Sequence, residues 1–384
     1  MSQQRYYSLD VFRGATVALM ILVNNPGSWG HIFTPLAHAS WHGCTPTDLV
    51  FPFFLFAVGN ALSFVMPKMQ NESDAYFWKK VIKRTLLIFG IGLFLNWSPF
   101  VKWSDGSLIF KTWENVRILG VLQRIALCYF FASIILYYGK TKIAFVIGML
   151  ILIGYWVANF LLGTPGHPYS LSGFFGTEID ISLIGVTHIY KGEGVPFDPE
   201  GLVSMFPAIV QVILGYLVGE YIQVKGKNYE MLAQLLISGI ILVLAGYIWD
   251  FSFPINKKIW TSSYVLYTAG LATITLSTLI YLLEFKNAKG AWSKFFDVFG
   301  KNPLFIFFMS GFLPRVIALF RWVDHVDEKG EKVYTSALPW FYQNVCKDLS
   351  SDLRIGSFVY AICFITFFAI LAYLLDKKKI YIKV

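Results

Sequence analysis

Residues 118–162 read ILGVLQRIALCYFFASIILYYGKTKIAFVIGMLILIGYWVANFLL, two apolar runs joined by the basic sequence GKTK. Each run has about 20 residues, the length at which an α-helix crosses the roughly 30 Å hydrocarbon core of a membrane. Similar runs recur on both sides of this stretch. The predicted spans are 9–26, 48–66, 82–98, 118–138, 143–162, 202–222, 231–249, 262–283, 297–319 and 355–375. We therefore predict an all-α membrane protein, a polytopic bundle of about ten transmembrane helices forming a single domain over residues 1–384.

The composition agrees with a membrane protein. Of the 384 residues, 56% are hydrophobic and 14% are charged, which is more apolar surface than one soluble core could hide. This excludes a secreted disulfide scaffold, a soluble enzyme and a nucleic-acid binder. The four cysteines form no framework, because Cys128 and Cys363 fall inside spans. Cys44 and Cys346 fall in loops, where they are either free thiols or a disulfide pair.

The net charge of +9 predicts the orientation of the bundle. Lys and Arg are concentrated in the short segments at one end, which include both termini, whereas most acids fall in longer segments at the other end. Because positive loops stay on the cytoplasmic side, we predict that both termini are cytoplasmic. The long segments 27–47, 163–201 and 320–354 then lie outside, and we expect function there, with 163–201 forming a small cap.

A few ionisable residues interrupt the predicted spans. Each is costly in a membrane and is therefore a candidate for a functional role. Arg13 follows Asp10 by three residues, so the two side chains lie on one face of a helix. Either they form a salt bridge with each other, or Arg13 binds a phosphate group. Arg124 lies well inside a span and needs an anion or a carbonyl group. Lys301 precedes Asn302-Pro303, which we expect to break its span beside a cavity open to the cytoplasm.

Three of the six histidines fall within twelve residues, after Asn24 at the end of the first span and before Asp48. They are His31, His38 and His42. A histidine can act as a general base at neutral pH, and a nearby carboxylate such as Asp48 can orient its ring. Two alternatives remain open from the residues alone: loop histidines with satisfied hydrogen bonds, or a metal site. The metal ligands would be His38, His42, Cys44 and Asp48.

The motifs resemble those of the heparan-α-glucosaminide N-acetyltransferase family of transmembrane acetyltransferases, whose bacterial members are often labelled as N-acetylglucosamine-related transporters. The matching stretches follow the family order over most of the chain. They are SLDVFRG at 8–14, VN at 23–24, HASWHG at 38–43, DLVFP at 48–52, RILGVLQR at 117–124, DPEG at 198–201 and GKNPL at 300–304.

The resemblance implies an acetyl-CoA-dependent N-acetyltransferase that crosses a bacterial cytoplasmic (inner) membrane several times. Cytosolic acetyl-CoA would donate its acetyl group to the amine of glucosamine, or of a glucosamine-containing saccharide, on the outer side. The family's active-site histidine falls on His38 and its supporting asparagine on Asn24. We predict that His38 is the general base, that Asn24 steadies the acyl oxygen or the histidine, and that Asp48 supports His38.

Several points stay open at this stage. Arg13, Arg124 and Lys301 are the candidates for binding the phosphates of acetyl-CoA, and no metal is expected. A general base and an acetyl-histidine intermediate are alternative mechanisms. The alternative function is an amino-sugar transporter of the N-acetylglucosamine type that transfers no acyl group. The expected partners are acetyl-CoA, an amino-sugar acceptor, the lipid bilayer and, by analogy with related enzymes, a second copy of the chain.

Overall fold

The computed structural model describes residues 6–104 and 106–382, which form one mostly helical bundle. Two short hairpins accompany the helices. The helices are α1 (Tyr7–Asn24), α2 (Val50–Asn71), α3 (Asp74–Trp97), α4 (Val121–Leu162), α5 (Gly176–Ile184), α6 (Met205–Lys225), α7 (Tyr229–Asp250), α8 (Ser262–Ile280), α9 (Ala291–Lys301), α10 (Pro303–Ile317), α11 (Ala337–Phe341) and α12 (Leu353–Lys377). The strands are β1 (Val101–Ser104) with β2 (Ser107–Phe110) and β3 (Arg321–Val326) with β4 (Lys332–Ser336).

Local sequence signals explain where several helices begin and end. The side chains of Ser73 and Asn228 accept hydrogen bonds from the first turns of α3 and α7, which satisfies backbone donors that a helix leaves unpaired. Lys140, in the GKTK sequence, has a φ of 52° and breaks α4 between the two predicted spans. The predicted break near Pro303 is present, because α9 ends at Lys301 and α10 begins at Pro303.

Each predicted span overlaps a helix, but the count of about ten is not confirmed. Seven helices among the described residues are long and apolar enough to cross a membrane. The difference has a physical origin: α4 carries two predicted spans in 42 residues, α3 contains a run of Lys and Arg, and α10 has only 15 residues. The membrane side of the two termini stays a prediction.

The all-α prediction needs one correction, because two antiparallel hairpins lie in the loops. In β1, Val101 and Trp103 alternate with the polar residues Lys102 and Ser104, but only over four positions, and neither hairpin contributes to the bundle core. The segment 163–201, which we call the cap, contains α5 and packs around a small apolar core with neighbouring loops and with residues of α4 and α7. The Trp41 indole N–H donates to the Tyr169 carbonyl of this segment over 2.8 Å. Its predicted place outside the membrane stays a prediction.

Close helix contacts hold the bundle together. Gly59 on α2 lies against the backbone of α6, and Gly14 on α1 lies against the carbonyl of Phe296 on α9, so that neither position has room for a Cβ atom. Near the start of α1, Tyr7 contacts Ser293, and Asp376 near the end of α12 binds Lys294. Both described ends of the chain therefore meet α9 at one end of the bundle, which we call the terminal end. We call the opposite end, which carries residues 27–47 and 163–201, the loop end.

Candidate active site

A cavity of about 260 Å³ opens at the loop end of the bundle. We call it the His38 cavity. It brings together Asn24, His38 and Asp48, the three residues that the sequence predicts for catalysis. Its wall also contains Trp41, Phe51, Arg117, Val121, Tyr190, Glu193, Glu200, Lys257, Lys258 and Trp260. The wall therefore combines apolar side chains with charged ones. We call the charged and aromatic residues Trp41, Arg117, Tyr190, Glu193, Glu200, Lys257 and Lys258 the rim of the cavity.

The buried carboxylate of Asp48 holds the His38 ring. The His38 Nδ1 atom lies 2.6 Å from Asp48 Oδ1, and the Asp48 side chain is 1% exposed whereas that of His38 is 39% exposed. Asp48 Oδ2 accepts hydrogen bonds from the backbone N–H groups of Ala39 and Thr45 and from the Thr45 hydroxyl, each at 3.0 Å. With Nδ1–H directed at this fixed carboxylate, Nε2 is the nitrogen that can accept a proton.

Local sequence determines this geometry. Thr45-Pro46-Thr47-Asp48 forms a capping box at the start of a short 3₁₀ turn, with proline at its first position, so the carboxylate turns back over the preceding loop. Gly43, with a φ of 103°, lets that loop reverse, a conformation that glycine adopts without strain. The Tyr264 hydroxyl on α8 donates to the Asp48 carbonyl over 2.6 Å and anchors the turn to the bundle.

Lys257 is a site residue that no motif or spacing in the sequence indicates. Its Nζ atom lies 3.0 Å from His38 Nδ1 and 3.4 Å from Asp48 Oδ1. Burial lowers the pKa of Lys257 below the ordinary lysine value, although the Asp48 carboxylate acts in the opposite direction. Since 219 residues separate Lys257 from His38, no spacing signal could have connected them.

Arg117 and its two carboxylate partners, Asp198 and Glu200, form a second charged group beside the cavity. Arg117 binds Asp198 over 2.5 and 3.0 Å, binds Glu200, and packs against the Tyr190 ring. Although burial alone would lower the pKa of Arg117, Glu200 and Asp198 raise it above its ordinary value. Residues 198–201 form a turn closed by a 2.9 Å hydrogen bond from the Gly201 N–H to the Asp198 carbonyl, and α6 begins four residues later, at Met205.

At the terminal end, a second cavity of about 330 Å³ contains Arg13 and Lys301, two of the three predicted phosphate-binding residues. We call it the Arg13 cavity. Arg84, which the sequence analysis did not select, also lines it, with its guanidinium 4.7 Å from the Tyr129 ring. Arg13 forms the salt bridge with Asp10 that the spacing predicts, at 2.8 Å. Arg13 also donates to the Gly300 carbonyl, and Lys301 binds Asp297 and Asp376, so both cations already have partners within the protein. Together with Arg84 they place three cations in the wall of one cavity, a chemistry suited to a phosphorylated ligand.

Arg124 is placed elsewhere. Its buried guanidinium donates to the Gly201 carbonyl over 2.9 Å and to the Ser204 hydroxyl, and it lies 5.1 Å from the Trp260 ring. It is not among the residues that line either cavity. A span arginine needs a carbonyl or an anion, and here a carbonyl and a hydroxyl group just before α6 bind Nη2, whereas Nε and Nη1 are buried without a hydrogen bond to a described residue.

The same three helices line both cavities. On α4, Val121 lines the His38 cavity and Ile125, one turn further, lines the Arg13 cavity, a rise of about 6 Å along the helix axis. On α2 the residues are Phe51 and Phe54, about one turn apart, and on α1 they are Met20 and Arg13, about two turns apart. The two sets of lining residues are thus one to two helical turns apart along the bundle.

The histidine and cysteine residues show no metal-binding arrangement. Within residues 6–104 and 106–382, no group of three or more His, Cys, Asp or Glu side chains is placed to hold a metal ion. All four cysteines are free thiols. Burial, assisted by the charge of Asp48, raises the pKa of Cys44 to about 12, so its thiol stays protonated near neutral pH and is a poor nucleophile.

Comparison with known proteins gives a consistent result. The family model described as "Heparan-alpha-glucosaminide N-acetyltransferase, catalytic" matches residues 5–247. The heparan-alpha-glucosaminide N-acetyltransferase of Homo sapiens is 27% identical over 433 aligned residues, which cover 99% of this chain and 60% of the human protein. The Mus musculus protein of the same name is 26% identical over 442 residues, which cover all of this chain and 61% of the mouse protein. The chain therefore corresponds to about three fifths of the length of these relatives.

Proposed function

The chain belongs to the heparan-alpha-glucosaminide N-acetyltransferase family, and we propose that it transfers the acetyl group of acetyl-CoA to the amine of an amino sugar on the other side of the membrane. The resemblance drawn from the motifs is thus confirmed at the family level. The observation that carries the proposal is the pair of cavities on α1, α2 and α4. One holds a carboxylate-bound histidine and the other holds three cations.

His38 is the proposed general base. As the acceptor amine attacks the acetyl carbonyl, Nε2 takes the proton that the amine loses, the new C–N bond forms, and the C–S bond breaks to release the thiolate of CoA. Asp48 orients the ring and stabilises the imidazolium that forms. Asn24 lies in the same cavity, where its amide is available to donate to the oxyanion of the tetrahedral intermediate.

The Arg13 cavity is the proposed binding site for the donor. Arg13, Arg84 and Lys301 bind the phosphates of acetyl-CoA, and the apolar residues of α2 and α4 surround its pantetheine arm. With the predicted orientation, this cavity opens to the cytoplasm, where acetyl-CoA is available. The thioester passes along the bundle from the turn of α4 at Ile125 to that at Val121 to reach His38, while the acceptor enters from the loop end.

The rim of the His38 cavity is suited to an amino sugar. Glu193 and Glu200 provide carboxylates for the ammonium and hydroxyl groups of the acceptor, and Trp41 and Tyr190 provide rings on which a sugar can stack. Glucosamine, or a saccharide containing it, is the proposed acceptor, in keeping with the names of the relatives. Those names favour acyl transfer over the transporter alternative.

The test is mass-spectrometric detection of N-acetylated product from purified protein, acetyl-CoA and glucosamine. The comparison is between wild type, His38→Ala and His42→Ala. His42 is the matched control because it belongs to the same loop but contacts Asn256 and is not among the residues that line the cavity. We expect product from wild type and His42→Ala, and none from His38→Ala at equal thermal stability.

Two further results would separate the alternatives. Product from His38→Ala at the wild-type rate would remove the histidine from the mechanism. Acetyl-CoA-independent uptake of N-acetylglucosamine into vesicles, with no acetylated product, would favour the transporter. An acetyl group trapped on His38 in the absence of acceptor would identify the acetyl-histidine route in place of the general base.

A further inference from the structure

We propose that Lys257 is a positioning residue that keeps His38 in its unprotonated, proton-accepting form. This inference rests on the proposed function, in which His38 is the base. In this assignment Asp48 orients the His38 ring. The Lys257 ammonium offsets the negative charge of Asp48, which would otherwise favour a second proton on that ring.

The first argument is electrostatic. A carboxylate beside a histidine favours the charged imidazolium, and an imidazolium cannot act as a base. Asp48 lies 2.6 Å from His38 Nδ1 and is 1% exposed, so water screens its charge poorly. A cation within contact distance of both groups reverses this effect, because it stabilises Asp48 and repels a second positive charge on His38.

The second argument is geometric. His38 Nδ1 directs its hydrogen at Asp48 Oδ1, so it has no lone pair to offer Lys257. Lys257 Nζ lies 3.0 Å from Nδ1 and 3.5 Å from Nε2, so the ammonium is beside both ring nitrogens and its charge acts on the whole ring. Such a contact is tolerable with a neutral ring and becomes strongly repulsive when the ring gains a proton.

The third argument is that the fold directs two adjacent lysines to different partners. Lys258 binds Glu193 over 2.6 Å and the Ser40 carbonyl over 2.8 Å, whereas Lys257 contacts His38 and Asp48. The loop that carries both lysines is tied to the histidine loop by a 2.7 Å hydrogen bond from Gly43 N–H to the Ile255 carbonyl. Burial lowers the pKa of Lys257, which is the expected electrostatic consequence of holding an ammonium in this position.

Other charged groups face the same cavity, but their charges are paired away from His38. Glu193 is bound by Lys258, and Glu200 is bound by Arg117. The groups around His38 are Asp48 at the start of α2, His42 and Cys44 from its own loop, Arg117 before α4, Glu193 and Glu200 from the cap, and Lys257 and Lys258 before α8. Among the described residues, Lys257 is the cation that contacts both His38 and Asp48.

The test is the pH dependence of kcat/KM for acetyl transfer in Lys257→Met, Lys257→Arg and the matched control Lys258→Met. Removal of the Lys257 charge makes the imidazolium more stable, so the acid limb of the profile moves to higher pH by about one pH unit. The Lys257→Met variant then loses about tenfold in rate on the acid limb and recovers at pH 9, whereas a purely structural defect lowers the rate at every pH. Lys257→Arg retains the wild-type limb, and Lys258→Met changes KM without moving the limb.

A second measurement does not depend on activity. Histidine ring signals are titrated by NMR in protein carrying ¹³C-labelled histidine, and the His38 signal is identified by its absence from His38→Gln. The midpoint of that signal rises by about one pH unit in Lys257→Met, or in Lys257→Gln if the methionine variant does not fold. An unchanged midpoint and an unchanged acid limb would overturn the role of Lys257. A shifted midpoint with no acetylated product from wild type would keep Lys257 and refute the proposed function.

Discussion

The replacement Asp48→Asn tests whether Asp48 acts by orienting the His38 ring or only by filling space in the cavity. Asp48 Oδ2 accepts three hydrogen bonds, from two backbone N–H groups and the Thr45 hydroxyl. Asparagine has one side-chain carbonyl oxygen, and this oxygen must take the place of Asp48 Oδ2 to accept them. The opposite orientation would press its N–H₂ group against two backbone donors, at about 1–3 kcal/mol for each buried donor left unpaired.

The asparagine N–H₂ group then replaces Oδ1, 2.6 Å from His38 Nδ1. Nδ1 becomes the acceptor, the ring hydrogen moves to Nε2, and the nitrogen that should take a proton already carries one. We expect kcat/KM for acetyl transfer to fall by about 10²–10⁴, which corresponds to about 3–5 kcal/mol in the activation barrier. The loss of a charged acceptor lowers the free energy of unfolding by about 1–3 kcal/mol, so the fold survives.

The assay is the rate of N-acetylglucosamine formation by mass spectrometry, with thermal unfolding recorded for each variant. Asp180→Asn is the matched control, because Asp180 is also 1% exposed but binds the Leu202 N–H in the cap, away from His38. A kcat/KM for Asp48→Asn within threefold of wild type would refute the argument that Asp48 sets the ring nitrogen used by the base.

Three further predictions test the donor site, the helix packing and the cap. Arg84→Ala lowers the affinity for acetyl-CoA, measured by calorimetry, about tenfold, because one charge-assisted hydrogen bond is lost. The control Lys83→Ala changes an exposed neighbour and leaves the affinity unchanged. Equal affinities of the two variants would exclude Arg84 from the site. Gly14→Val lowers Tm by several degrees, because the added side chain meets the Phe296 carbonyl; a wild-type Tm would contradict this close contact. Burial raises the pKa of Asp180 from 3.8 to about 6, so the folded state holds this proton more tightly than the unfolded state. The contribution of Asp180 to the free energy of unfolding therefore falls as pH rises from about 4 through 6. Asp180→Asn is therefore more stable relative to wild type at pH 8 than at pH 4 in thermal unfolding, and a pH-independent difference would refute it.

The helical core and part of the site could be predicted because their signals are local. A run of about 20 apolar residues marks a span wherever it packs, and Pro303 ends a helix through its own ring and missing N–H. Asn24, His38 and Asp48 lie within 25 consecutive residues between two spans, so a connecting loop had to keep them at one end of the bundle. Their catalytic roles, and the possibility of a homodimer, remain predictions.

The helix count and the hairpins depended on details that hydropathy does not contain. Lys140 is non-helical and separates the two predicted spans of α4, whereas α3 carries a run of Lys and Arg and α10 is short. The loop strands have only four to six residues each. Arg124 illustrates the same limit for a single residue. A span arginine requires a polar partner, but whether that partner is a ligand or the start of α6 depends on how α4 and α6 pack.

The sequence was sufficient for the family, the spans and the histidine loop, since these follow from short motifs and from the free energy of placing apolar residues in lipid. Folding in three dimensions was needed to bring Lys257 to His38 across 219 residues, and to place Arg84 in one cavity with Arg13 and Lys301. Contacts of this kind depend on the angles and rotations at which helices pack. Those are set jointly by many side chains and by close contacts such as that of Gly14 with α9, and no local pattern encodes them.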